Sequence, residues 1–102
     1  MPNLYPDTFP DSGETFTPLL EHPNARILRI VSSDDIEPIL YDQEEDEWVV
    51  VIEGEAVLEI ERNETVLHRG ESLLIPAHTK HRVLRAERGT VWLAVHFMVG
   101  SG

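Results

Sequence analysis

From Ala25 onward the chain alternates apolar and polar residues in short runs, and a turn-forming residue interrupts it about every ten positions. A period of two marks strands rather than helices, because successive side chains on an extended backbone point to opposite faces. The runs are 26–31, 36–41 (broken by Pro38), 47–53, 56–61, 65–68, 73–75, 81–86 and 90–99, with turns at Gly54, Arg62-Asn63-Glu64, Gly70, Pro76 and Gly89. No long helical period competes with them. The pattern predicts an all-β domain, a sandwich or a closed barrel.

Two runs are apolar on both faces. Val49 and Val51 share the parity of Glu47, with Trp48, Val50 and Ile52 opposite, while Trp92, Ala94 and Met98 oppose Val91, Leu93, Val95 and Phe97. A half-exposed antiparallel strand would alternate. The outer faces are therefore covered, either by the N-terminal arm or by a second subunit, and a homodimer is the expected cover for at least one. Residues 1–24 carry five of the seven prolines and predict an irregular arm, with room for a helical turn from Phe16 to Glu21. Leu4, Tyr5, Phe9, Phe16, Leu19 and Leu20 would lay that arm on the barrel. The expected organisation is an arm over 1–24, a barrel over 25–99 and a flexible tail over 100–102.

At 102 residues the chain makes one domain with a modest core. Its net charge of −11 excludes nucleic-acid binding, which needs clustered cations, and disfavours an anionic membrane surface. Lys80, Arg82, Arg85 and Arg88 read as a solvated strand face. Without cysteine there is no disulfide and no thiolate chemistry. No basic-then-apolar leader and no span-length apolar run is visible, so the cytoplasm is the expected location.

The residues that could carry chemistry follow from parity. Tyr41, Gln43 and Glu47 share a side if the strand is regular, with Val49 beside them. A carboxylate inside a barrel must be paired, hydrogen-bonded or bound to a cation. His81 enters a later strand just after Pro76, and Arg85 shares its parity, able to meet an anionic ligand or to face solvent. His96 interrupts the last apolar strand and needs a partner, as a satisfied core histidine or as a pocket residue. His78 sits exposed in the turn or, through its spacing to His81, supplies an extra ligand beside it, and His22 and His68 belong to the surface. The acidic run Asp42 to Glu47 is either a cation-attracting rim or simply solvated. No Ser-His-Asp order, phosphate loop or nucleotide fingerprint is present. A small barrel holds a single small ligand in its mouth, so a pocket is the natural place for function.

Glu47 followed after six residues by Gly54, then Gly70, five residues, Pro76 and His81, form a framework that resembles the two-part signature of the cupin family over about residues 25 to 99. The two histidines of the first half fall on Tyr41 and Gln43, the glycine after the proline on His78, and the closing asparagine on Arg85. The resemblance implies a double-stranded β-helix, or jelly-roll barrel. An immunoglobulin-like sandwich, the alternative for such strands, would have no inward polar cluster. The resemblance also implies that Tyr41, Gln43, Glu47 and His81 occupy four metal-ligand positions for one divalent ion, Mn, Fe, Ni or Zn. With one imidazole, one carboxylate, an amide and a phenol, that set is oxygen-rich, suits Mn, Mg or Ca better, and binds more weakly than three histidines would. The same residues also admit a metal-free site in which Gln43, Glu47 and His81 satisfy each other by hydrogen bonds. The function implied is a metal-dependent enzyme on a small polar substrate, such as a dioxygenase, isomerase or epimerase. The alternative is a non-catalytic module that binds or senses a sugar-like ligand. A purely structural dimer would leave Glu47 unexplained.

Overall fold

A computed structural model describes residues 1–98 of the chain. It contains eight strands: β1 (Glu14–His22), β2 (Ala25–Ser32), β3 (Asp46–Glu53), β4 (Glu55–Ile60), β5 (Asn63–His68), β6 (Ser72–Ile75), β7 (His81–Ala86) and β8 (Thr90–Phe97). They form a five-stranded sheet in the order β1-β2-β8-β3-β6 and a three-stranded sheet in the order β5-β4-β7. All pairings are antiparallel. This is the all-β architecture that the alternation anticipates and is consistent with the jelly-roll barrel that the resemblance implies. No helix forms among the described residues, so none is long and apolar enough to cross a membrane.

The inward positions of the two sheets meet in one core: Ile30, Val49, Val51, Ala56, Leu58, Leu67, Ile75, Trp92 and Ala94. Val51 and Ala94 are wholly buried, at the middle of the two central strands. Burying a side chain the size of Val, Leu or Ile is worth about 1.5–3 kcal/mol, which is why the central strands tolerate so few polar residues.

Three expectations need correction. The stretch 14–22, expected to be irregular or helical as part of the proline-rich arm, is the edge strand β1, so the barrel starts at Glu14 rather than Ala25. Pro18 is tolerated there because β1 has a neighbour on one side only, and the ladder slips beside it, between Pro18 and Leu20. The run 36–41 forms no strand; only Tyr41 pairs, in a single bridge to His81. Arg85 does not share the inward face of His81. The β4–β7 register passes from Leu58↔Val83 to Val57↔Arg85, so Leu84 is an extra residue that turns Arg85 outward. There Arg85 is exposed and lies 3.9 Å from Glu64. Val99 and the expected tail at 100–102 lie outside the described residues.

The outer face of the large sheet carries an apolar row across all five strands: Leu20, Ile27, Val95, Trp48 and Leu74, each register-paired with the next. The N-terminal arm covers only part of this face. Arg29, in the adjacent row, donates to the Asn3 carbonyl at 2.7 Å, yet Leu20 and Leu74 remain half exposed and Trp48 is 37% exposed.

Candidate functional site

The barrel encloses a cavity of about 430 Å³ whose walls differ in chemistry. Phe16, Pro18, Leu28, Ile30, Val49 and Trp92 make an apolar wall, and Glu14, Tyr41, Gln43, Glu47, His81 and His96 supply polar groups. Strand parity explains most of this. Inward positions of β3 give Glu47, Val49 and Val51, and inward positions of β8 give Trp92, Ala94 and His96. The register sets Glu47 level with His96 on one side and Ile75 on the other.

Glu47 lies between two imidazoles. Its Oε1 is 3.4 Å from His81 Nε2 and its Oε2 is 3.5 Å from His96 Nε2, and all three side chains are buried. His81 Nδ1 lies 2.8 Å from the Thr79 carbonyl, which can only accept, so Nδ1 carries a proton. Nε2 then faces a carboxylate oxygen, and the contact is attractive only when Nε2 is protonated too. Burial works against that charge, but the bonds to Glu47 and Thr79 and the charges of Glu47 and Asp42 outweigh it, and the His81 pKa is raised above the ordinary imidazole value. His96 Nδ1 is buried without a partner among the described residues, as is Gln43 Oε1.

The loop residues reach the site by backbone stapling. Tyr41 N donates to the His81 carbonyl at 2.8 Å and His81 N to the Tyr41 carbonyl at 3.1 Å. The two rings stack with centroids 5.7 Å apart and planes 27° from parallel. His78 N donates to the Gln43 carbonyl and Ala77 N to Asp46 Oδ1, so the turn after Pro76 is tied to the stretch before β3. The Tyr41 hydroxyl is held above its usual pKa, first by burial and then by the charges of Glu14 and Glu47. His78 is exposed in the turn, at φ 59° and 3.3 Å from Asp42. Thus Tyr41, Gln43, Glu47, His81, His96 and Val49 come together around one cavity, and Arg85 stays outside.

Sequence reasoning missed Glu14, Phe16 and Arg26. The first two sit on β1, the strand hidden by Pro18 and the proline-rich arm before it. Glu14 accepts a hydrogen bond from Ser32 Oγ, which in turn accepts one from Trp92 Nε1 at 2.9 Å. Burial raises the Glu14 pKa, the Ser32 bond lowers it in part, and the charge of Glu47 adds to the rise. Arg26 lines the cavity but is clasped by Glu45 through contacts of 3.0–3.3 Å.

The donors do not fit a metal ion well. His81 and His96 each face a different oxygen of Glu47, and Tyr41 and Gln43 add only neutral oxygens. Among the described residues, no group of three or more His, Cys, Asp or Glu is placed to hold one.

One pH dependence follows from His81. Its folded-state pKa lies above the unfolded one, so its contribution is complete below about pH 6.5 and fades as pH rises through the folded value. Chemical denaturation across that range is expected to show falling stability in the native chain and a shallower fall in His81→Asn. Some slope should remain in the variant. His68 is exposed, and its pKa is raised by its hydrogen bond to Glu71 and the charge of Glu55, so it titrates in the same sense. An unchanged slope in His81→Asn would contradict the assignment.

A family model described as the cupin domain matches residues 26–96. Among solved structures, a protein of Ralstonia eutropha JMP134 put forward as a mannose-6-phosphate isomerase superposes with a TM-score of 0.85 at 36% identity, over 97% of this chain and 98% of that one. An RmlC-like cupin protein of Desulfovibrio desulfuricans gives 0.79 at 23% identity, over 93% and 92% of the two chains. KdgF of a Halomonas species gives 0.77 at 17% identity, over 86% and 82%. The last two are too distant to carry more than the fold. No curated protein matches the chain.

Proposed function

The chain belongs to the cupin family, and from that premise we propose that its cavity takes one small hydroxyl-bearing molecule and moves a proton on it. The observation that carries this reading is a buried carboxylate, Glu47, between two imidazoles in the wall of a ligand-sized cavity. Both contacts are longer than a close charged hydrogen bond, which leaves carboxylate lone pairs for a ligand. Glu47 would remove the proton from a carbon beside a carbonyl while protonated His81 donates to the carbonyl oxygen. Reversing both transfers on the neighbouring carbon completes an isomerisation. The relative put forward as a mannose-6-phosphate isomerase supports this reaction class. The chemistry runs on acid–base groups of the chain and calls for no metal.

The test incubates chelator-treated protein with a panel of aldoses and ketoses in D2O and follows the carbon-bound protons by NMR. Time-dependent exchange beside the carbonyl, with conversion to the isomer, is expected. Binding without exchange would make this a non-catalytic sugar-like binding module. Exchange that appears only on adding Mn, Fe, Ni or Zn would restore the metal-site reading.

We also propose that a second copy of the chain covers the apolar row on the outer face, which the arm leaves open. Light scattering at micromolar concentration is expected to give about twice the chain mass of 11.6 kDa, and Trp48→Asp, within the row, to give the single-chain mass with the cavity intact. A native chain that scatters as a monomer would refute this.

A further inference from the structure

We propose, building on the small-molecule reading, that the ligand is an uncharged, hydroxyl-rich molecule and that Glu14 is its second anchor and a determinant of specificity. The register puts Glu14 opposite Ser32 at the end of β2, while Glu47 stands level with His96, itself opposite Arg26 near the start of β2. The cavity therefore has a carboxyl group toward each end, and the charge of one reaches the other. Between them lie the apolar surfaces of Phe16 and Trp92, and the Glu47 end also carries Gln43, whose Oε1 is unpartnered among the described residues, and the 3% exposed His96, whose Nδ1 also lacks a partner there. A sugar-like polyol matches this two-sided lining, with C–H faces for the apolar wall and hydroxyls for the carboxylates and the orphaned acceptors.

An anionic ligand finds no counterpart. The basic side chains lining the cavity are Arg26, His81 and His96. Glu45 holds the guanidinium of Arg26 through both carboxylate oxygens, and both imidazoles face Glu47. A phosphate or carboxylate would give up its hydration for two carboxyl groups and no free cation, and like-charge juxtaposition costs affinity. A phosphate monoester could enter only by taking Arg26 from Glu45.

The experiment measures binding of D-mannose and mannose 6-phosphate by calorimetry at neutral pH. The native chain is expected to hold the neutral sugar at least about tenfold more tightly than its phosphate. Glu14→Gln keeps the shape of the side chain but removes its charge. It is expected to weaken mannose and to narrow the ratio about threefold, because the phosphate loses a repelling neighbour. A merely structural loss would weaken both ligands together and leave the ratio unchanged, and that result overturns the role of Glu14. Phosphate binding as tight as or tighter than the sugar, lost again in Arg26→Met, overturns the selectivity while the small-molecule reading stands. If no neutral polyol of a wider panel binds, nor its phosphate ester, both fall together.

Discussion

Glu47→Gln should abolish proton exchange on the bound ligand, by roughly 10²–10⁴-fold, while the chain stays folded. The amide is nearly the shape of the carboxylate and can still meet His96 Nε2 and His81, but it cannot take up and return a proton. Ligand affinity is expected to fall much less than turnover, since the amide still offers a hydrogen-bond acceptor. Glu47→Ala should behave differently, because it removes the partner of two buried imidazoles at once. His81 can respond by giving up its proton, so the cost falls short of that for a stranded buried charge. It comes to about 2–3 kcal/mol. In a domain of this size that lowers the melting temperature by roughly 10–20 °C. Circular dichroism melts and the D2O exchange assay separate the two effects. If Glu47→Gln exchanged ligand protons at the native rate, Glu47 would be a structural carboxylate and the proposed chemistry would lie elsewhere.

The part of the site read from sequence is the part that obeys strand parity. Glu47 begins a strand whose next inward residues are valines, and His96 interrupts an apolar strand, so both announce themselves as inward polar groups. His81 follows Pro76 at the entrance of β7 and is inward for the same reason. What parity cannot register is a change of parity. One extra residue, Leu84, reverses the face of Arg85, and nothing in His81-Arg82-Val83-Leu84-Arg85 distinguishes a bulge from a regular strand. The prolines misled in another way. Pro18 reads as a strand breaker, yet an edge strand asks for ladder bonds on one side only, and β1 supplies Glu14 and Phe16 to the cavity. Thr15-Phe16-Thr17-Pro18 does alternate polar and apolar residues, a weak strand signal. Tyr41 reached the site through a single bridge rather than a strand, a long-range contact with no local signature.

Gly54→Ala is expected to be the most damaging single methyl that the barrel can receive. Gly54 closes the connection from β3 to β4 at φ +90°, a conformation that strains any residue with a Cβ, at about 1–3 kcal/mol. The added Cβ would also lie 2.5 Å from Thr90 Oγ1, 2.9 Å from Thr90 Cα and 3.0 Å from Thr90 Cβ. Rotating a side chain cannot relieve a clash with a Cα atom. Thr90 cannot retreat easily either: it is fully buried, its N and Oγ1 donate to the Glu87 carbonyl at 3.1 and 2.7 Å, and Oγ1 also lies 3.2 Å from the Glu55 carbonyl. Strain and overpacking together should cost about 4 kcal/mol, against a total stability of about 5–15 kcal/mol. That lowers the melting temperature by roughly 15–30 °C. Gly70→Ala supplies the comparison, because Gly70 has φ +85° but nothing beyond its own chain neighbours within 4 Å of the added Cβ. It carries the strain without the clash, so the gap between the two melts measures what Thr90 contributes. Equal losses in the two variants would mean that β8 yields to the methyl and that Thr90 does not lock the β3–β4 connection.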